Sequence, residues 1–115
     1  MGGEKMGYKI NNSNKKITLI RGDSLHLKVN IYIDGEPYTP SNGDTVRFAM
    51  KQTYQSNKIL IHKNIPIDSL ELHLEPSDTK KLAFGKYVYD IEITFDNGDV
   101  DTFISGELEL APEVE

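Results

Sequence analysis

The sequence predicts an all-β protein, an immunoglobulin-like antiparallel β-sandwich of about seven or eight strands. Apolar and polar residues alternate along several segments of the 115-residue chain, as in strands with one buried and one solvated face. The dipeptides Asp34-Gly35 and Asn97-Gly98 are typical of β-hairpin turns. A short helical turn followed by a glycine–tyrosine corner is the third indication of this fold.

The clearest strand covers residues 25–33, where Leu25, Leu27 and Val29 alternate with polar side chains. In the last strand the even-numbered residues from Val100 to Leu110 are expected on one face, and Phe103 is an apolar exception on the other. Further strands are predicted at residues 17–20, 45–52, 59–67, 70–75 and 87–95, with short pieces at 8–10 and 36–39.

A helical turn near residues 77–83 connects two of these strands. Pro76 ends the preceding strand because it has no N–H to donate, and Ser77 or Asp78 can cap the turn. Gly85 then provides a bend, and Tyr87 follows two residues later. In immunoglobulin-like sandwiches a tyrosine at this corner donates its hydroxyl to the backbone a few residues upstream.

Gly85, Tyr87 and Tyr89 are therefore predicted to form a structural corner rather than a catalytic site. Tyr89 would occupy the position of the second disulfide cysteine of antibody domains. The chain has no cysteine and no tryptophan, so it lacks the disulfide and tryptophan that pin antibody domains together.

Length and composition indicate one domain over residues 1–115, with residues 1–6 and 111–115 expected to be flexible. No apolar run approaches the ~20 residues of a membrane helix, and the first residues lack the apolar core of a secretory signal. A net charge of −5 argues against nucleic-acid binding, which requires a basic face. Neither a membrane nor a nucleic acid is an expected partner.

The sequence contains no recognisable catalytic constellation, so we expect no enzyme, no catalytic residue, no cofactor and no metal. The spacing of His26, His62 and His73 places no two imidazoles on one ion, and a zinc site assembled across strands has no support at this level. Three carboxylates gather at Asp96–Asp101, but turn chemistry accounts for them better than calcium binding. Arg21-Gly22-Asp23 could bind integrins on a loop tip, yet a plain turn is the favoured interpretation.

The chain resembles the N-terminal β-sandwich domain of baseplate upper proteins and related small tail proteins of bacteriophages that infect Gram-positive bacteria. The resemblance covers residues 17–114 approximately, and turn glycines and core tyrosines carry it. These residues are Arg21-Gly22-Asp23-Ser24, Gly35 with Pro37-Tyr38, Gly43-Asp44-Thr45-Val46-Arg47-Phe48, Asp78-Thr79 with Leu82, Gly85-Lys86-Tyr87-Val88-Tyr89-Asp90-Ile91, and Gly106.

The resemblance implies a structural component of a phage or prophage tail, found in the virion or, before assembly, in the host cytoplasm. Its partners would be other tail proteins or further copies of itself. Aromatic side chains expected to point outward are the candidate contacts, because aromatic anchors dominate interface energetics. They are Tyr32, Tyr38, Tyr54 and Phe103.

Two other functions stay open at this stage. An adhesion or carbohydrate-binding module of a bacterial surface protein would use the same fold, and would need a cluster of sugar-stacking aromatics and a secretion signal. An enzyme would need a pocket with convergent titratable groups.

Overall fold

The computed structural model describes residues 8–11 and 15–112, with side chains described from Lys15 onward. This part of the chain forms ten strands and one short helix. They are β1 (Tyr8–Asn11), β2 (Lys16–Ile20), β3 (Leu25–Lys28), β4 (Tyr32–Ile33), β5 (Glu36–Pro37), β6 (Thr45–Lys51), β7 (Ile61–Ile65), β8 (Glu71–Leu74), α1 (Pro76–Lys80), β9 (Gly85–Thr94) and β10 (Val100–Ala111).

The strands form a β-sandwich, which confirms the predicted fold class. Six strands make the larger sheet, in the order β1-β2-β10-β9-β6-β7, and β3 pairs with β8 in the opposing sheet. Strands β4 and β5 form a separate small hairpin. With β3 and β8 on one side and β6, β9 and β10 adjacent on the other, the arrangement corresponds to the B–E and C–F–G strands of immunoglobulin-like domains.

One pairing is parallel, although the predicted sandwich has only antiparallel pairs. The last residues of β10, Leu108–Ala111, run parallel to Ile17–Ile20 of β2. Short turns fix the direction of antiparallel neighbours, but β2 and β10 come from opposite ends of the described chain, so no turn joins them. The larger sheet is therefore mixed.

The predicted strand over residues 25–33 is interrupted. Burial alternates along the whole segment as expected, with Leu25, Val29 and Ile31 buried. The ladder between β3 and β8 ends with the hydrogen bond from Val29 N to Leu70 O, and Tyr32 and Ile33 turn to pair with β5 instead. Alternation thus identifies the buried face correctly but does not show where a strand changes partner.

The core lies between the two sheets and is lined by inward side chains of almost every strand. The buried apolar residues are Ile17, Leu19, Leu25, Val29, Ile31, Val46, Phe48, Met50, Ile61, Ile65, Leu72, Leu74, Tyr87, Tyr89, Ile91, Ile93, Leu108 and Leu110. Strand β7 is shorter than the predicted 59–67, and Ile59 outside it is 51% exposed.

The helical turn α1 begins at Pro76 and ends at Lys80, slightly earlier than the predicted 77–83. Proline suits the first helical position, because the N–H it lacks would have no partner there. The residue before it, Glu75, is the N-cap, in place of the expected Ser77 or Asp78, and its N–H donates to Asp78 Oδ2 at 2.7 Å. In the described residues no helix is long and apolar enough to cross a membrane.

Both predicted hairpin turns are present, with different geometry. Asp34 and Gly35 have φ values of 53° and 81°, as the two central residues of a type I′ turn require. At the β9–β10 turn, Phe95 N donates to Asp99 O and Gly98 has a φ of 95°, which leaves a three-residue loop.

Of the ends expected to be flexible, only residues 111–112 lie within the described residues. Residues 1–6 and 113–115 lie outside the described residues. Ala111 is not a tail residue, because it ends β10, pairs with Ile20 and accepts a hydrogen bond at its carbonyl from Arg21 N at 3.0 Å.

Candidate functional site

The candidate site is a cleft between the β3–β4 segment and the larger sheet, which we call the Tyr32–Phe103 cleft. Its volume is about 380 Å³, within the range of sites that hold a small molecule or a few side chains of a partner. Buried residues Ile17, Tyr89 and Ile91 line it from the larger sheet, and Leu27 and Val29 from β3 and its extension.

Phe103 reaches the cleft because of a β-bulge. The pairing of β10 with β9 shifts between Thr102 and Ile104, so Phe103 is an extra residue without an opposite partner. The prediction that Val100 and Thr102 share a face with Ile104 is therefore wrong, since the bulge reverses the alternation. Phe103 is half-buried against the core and is not an isolated aromatic on a polar face.

Tyr32 is the second aromatic residue of the cleft and is 56% exposed. It opens the β4–β5 hairpin, where it pairs with Pro37 on the partner strand. Its hydroxyl makes no hydrogen bond to the described residues, so a polar group and an apolar ring are both accessible. The structure therefore brings two of the four predicted contact residues, Tyr32 and Phe103, to one place.

The rim of the cleft is basic. Lys15 and Lys28 both line it and both are exposed, and none of the described lining residues is a carboxylate, although Glu71 of β8 lies opposite Lys28. The chain as a whole has a net charge of −5. The cleft is thus a local basic exception on an acidic protein, and it suits an occupant with an apolar group and a negative charge.

Tyr38 is not an outward contact residue, which corrects the sequence-based expectation. Its ring is half-buried and meets Phe95 edge-on at 5.6 Å between centroids. Its hydroxyl donates to Asp44 Oδ2 at 2.7 Å, and this hydrogen bond raises the pKa of Tyr38. Residues 38–44 lie between β5 and β6, outside the strands, so the alternation pattern does not relate Tyr38 to Asp44.

Asp44 is a buried carboxylate that joins two turns. It accepts hydrogen bonds from the Tyr38 hydroxyl, from Ser41 N at 3.1 Å and, at its other oxygen, from Asp96 N at 3.1 Å. These donors hold the pKa of Asp44 below its ordinary value, with the Tyr38 hydroxyl as the largest cause. Two donors lie in the loop before β6 and the third lies in the β9–β10 turn, so Asp44 holds these two loops together.

Tyr54 is 52% exposed, as expected, but does not line the Tyr32–Phe103 cleft. It lies in a separate, shallower depression together with Lys86, Val88 and Glu107. Its hydroxyl is 3.4 Å from Gly106 O, a weak hydrogen bond. Tyr54 is therefore a suitable control for Tyr32, because it is the same residue type with similar exposure but lies outside the cleft.

The predicted tyrosine corner is present. The Tyr87 hydroxyl donates to Ala83 O at 2.7 Å, and Gly85 has a φ of 136°, which a side chain rarely adopts. The Tyr89 hydroxyl donates to Lys15 O at 2.6 Å, and burial raises the pKa of Tyr89 to about 12. Both tyrosines are buried, so they support the fold beside the cleft.

The Arg21-Gly22-Asp23 segment is bound to the corner and α1. Arg21 lies over the ring of Phe84 at 4.2 Å and donates to Leu82 O at 3.1 Å. Gly22 N donates to the hydroxyl of the fully buried Thr79 at 2.9 Å. Because the arginine is engaged within the protein, the turn interpretation holds and an integrin-type display does not.

Histidine and carboxylate side chains are the groups of this chain that would hold a metal. Among residues 15–112 no group of three or more histidine, aspartate or glutamate side chains is placed to hold a metal. In the β9–β10 turn, Asp99 N donates to Asn97 Oδ1 at 2.9 Å, so local turn contacts explain its polar residues. His26 and His73, far apart in sequence, lie directly opposite each other on β3 and β8, which no local pattern indicates.

No protein-family model matches this chain, and no curated protein matches it. Among solved structures, one similar chain is CopC from Methylosinus trichosporium OB3b. The two are 18% identical, the match covers 64% of this chain and 72% of CopC, and the TM-score is 0.39. A likeness at this level carries no statement about function.

Proposed function

We propose that this protein is a non-enzymatic assembly component that works through protein–protein contacts, as a baseplate-like part of a bacteriophage or prophage tail. The observation that carries the contact role is the Tyr32–Phe103 cleft, where two aromatic side chains from different sheets lie around one apolar depression. The resemblance of the sequence to baseplate upper proteins supports the tail assignment.

Aromatic residues beside an apolar pocket are the groups that contribute most binding energy at protein interfaces. Phe103 is already half-buried, so its side chain loses little further conformational entropy when a partner covers it. Tyr32 offers a large exposed ring and a hydroxyl. An inserted apolar side chain of a partner would displace water from Val29 and Ile104, and an acidic neighbour of that side chain would meet Lys15 or Lys28.

The test is light scattering behind size exclusion over a wide range of protein concentration. A discrete oligomer whose formation weakens in Tyr32→Ser and Phe103→Ser supports the proposal, with the apparent dissociation constant rising about tenfold or more for a hot-spot residue. Tyr54→Ser is the matched control, because Tyr54 is equally exposed but outside the cleft. Circular dichroism checks that each variant is folded.

If the protein is monomeric at every concentration, self-assembly is ruled out as its role. The next test is then a pull-down with tail proteins encoded beside this chain. Capture that depends on Tyr32 and Phe103 supports docking to another protein. An association that Tyr54→Ser weakens as much as Phe103→Ser contradicts the role of the cleft. Binding of glycans in place of proteins would favour the carbohydrate-binding alternative.

A further inference from the structure

The opposing sheet carries a pair of stacked histidines on its outer face. His26 of β3 and His73 of β8 are direct cross-strand partners, with ring centroids 4.2 Å apart and ring planes 17° from parallel. The hydrogen bond from Val29 N to Leu70 O fixes the phase of this ladder. Along an antiparallel ladder, opposite pairs alternate between those that exchange backbone hydrogen bonds and those that do not. Val29 and Leu70 are hydrogen-bonded, so His26 and His73, three pairs further along, are not. In pairs of this second type the side chains approach most closely.

Both imidazoles face outward. Their neighbours Leu25, Leu72 and Leu74 are fully buried, and the alternation of the strands places the two histidines on the other face. The His26 side chain is 51% exposed. Because both rings lie outside the core, core packing does not fix either of them in the stacked orientation.

A carboxylate flanks the pair. Glu71 Oε2 lies 3.8 Å from His26 Nδ1, and Glu71 is two residues before His73 on the same face of β8. Lys28 of β3 is opposite Glu71 and is the nearest cation by register. The outer face of β3 and β8 therefore carries two imidazoles, one carboxylate and one ammonium group.

We propose that His26 and His73 together bind a divalent transition-metal ion, with Zn²⁺ as the ion to test. Neutral imidazole is a good ligand for zinc, copper and nickel. Two imidazoles in cross-strand register chelate one ion when each ring turns to point one nitrogen at a shared position, and water completes the coordination. Glu71 Oε2, 3.8 Å from Nδ1 of His26, is too distant for a hydrogen bond and supplies a negative charge beside the two rings.

The site is distinct from the Tyr32–Phe103 cleft, which His26 and His73 do not line. Its test is therefore independent of the proposed assembly role. The third histidine provides an internal comparison: His62 lies on β7 opposite Ala49, is exposed, and has no histidine across from it.

The experiment is isothermal titration of the purified full chain with ZnCl₂ near neutral pH, supported by ¹H–¹⁵N spectra of the imidazole groups. We expect one equivalent of Zn²⁺ to bind, with the signals of His26 and His73 shifting together and that of His62 unchanged. His26→Asn and His73→Asn should each weaken binding by about tenfold or more, since even the loss of outer-shell partners costs 10–100-fold. His62→Asn should bind as the unmodified protein does.

Three results would overturn the proposal: no binding of Zn²⁺, equal loss of affinity in His62→Asn, or half an equivalent bound with concomitant dimer formation. The last result would mean that the ion joins two copies through one histidine each. The substituted positions are on exposed faces, so the asparagine variants are expected to fold, and circular dichroism verifies it.

Discussion

The hydroxyl of Tyr89 lies 2.6 Å from the carbonyl oxygen of Lys15, although 74 positions separate the two residues in sequence. Tyr89 also stacks on Phe48 in the core, with ring centroids 5.7 Å apart. One side chain thus joins the buried centre of the larger sheet to the point where β2 begins. Tyr89 and Lys15 both line the Tyr32–Phe103 cleft, so this contact helps to set its shape.

We expect Tyr89→Phe to lower the free energy of unfolding by about 1 kcal/mol, because it removes one buried hydrogen bond and keeps the ring. Urea denaturation measures the change. Tyr54→Phe is the control, since its hydroxyl is exposed and its hydrogen bond to Gly106 O is 3.4 Å long. Equal stability losses in the two variants would contradict a special role for the contact between Tyr89 and Lys15.

Gly106 allows the same region to pack closely. A Cβ atom at this position would lie 2.7 Å from Lys15 O and 3.2 Å from the Tyr89 ring. Because the first of these atoms belongs to the backbone, Gly106→Ala must displace the chain at Lys15. We expect a loss of about 1–3 kcal/mol, the usual cost of overpacking, in thermal or urea unfolding.

The adjacent substitution Ser105→Ala is the control for Gly106→Ala. Ser105 is an exposed residue of the same strand, so its change should stay within about 0.5 kcal/mol. If both variants unfold at the same denaturant concentration, the close approach of Lys15 to Gly106 has no energetic importance.

Stability should depend on pH through Asp44. Its pKa is lower in the folded protein than the ordinary 3.8, chiefly because the Tyr38 hydroxyl donates to it. A carboxyl with a depressed folded pKa stabilises the protein above its unfolded pKa, and this contribution is lost as the pH falls through the folded value. Asp44→Asn should therefore be less stable than the unmodified protein near neutral pH, and the difference should shrink in acid.

Urea unfolding at a series of pH values from about 7 down to about 2.5 tests this expectation. Asp34→Asn is the control, because Asp34 is exposed in the β4–β5 turn and asparagine also tolerates its positive φ. A stability difference between Asp44→Asn and the unmodified protein that stays constant across the whole range would show that Asp44 does not act through its charge.

Local patterns were sufficient to predict much of the fold. The corner at Gly85 and Tyr87 is visible because its hydrogen bond spans only four residues, to Ala83. The type I′ turn at Asp34-Gly35 is equally local. Alternation also assigned the buried face of the segment that starts at Leu25 correctly, since burial follows a two-residue period whether or not the strand stays paired.

The sites depend on relationships that alternation does not contain. A β-bulge adds one residue to a strand and leaves no mark in the composition of the sequence. In the alternation pattern Phe103 is therefore only an apolar residue on a polar face, whereas in the structure it is the bulged residue at which the register of β10 against β9 shifts. Tyr38 and Tyr32 look alike in sequence, yet only Tyr38 has a buried carboxylate within reach. His26 and His73 meet because β3 and β8 are partners, and that partnership follows from topology rather than from spacing.

The parallel pairing of β2 with β10 has a consequence for biosynthesis. Ile17, near the start of the described chain, is held beside Leu108, near its end. A ribosome releases the first of these residues long before the second, so the growing chain cannot complete its larger sheet until β10 has been synthesised. Long-range pairings of this kind also slow folding, because the chain must close a large loop before the contacts reward it. Until β10 emerges, the nascent protein is therefore expected to expose the edges of β2 and β9 that β10 covers, and chaperones and other copies compete for these edges.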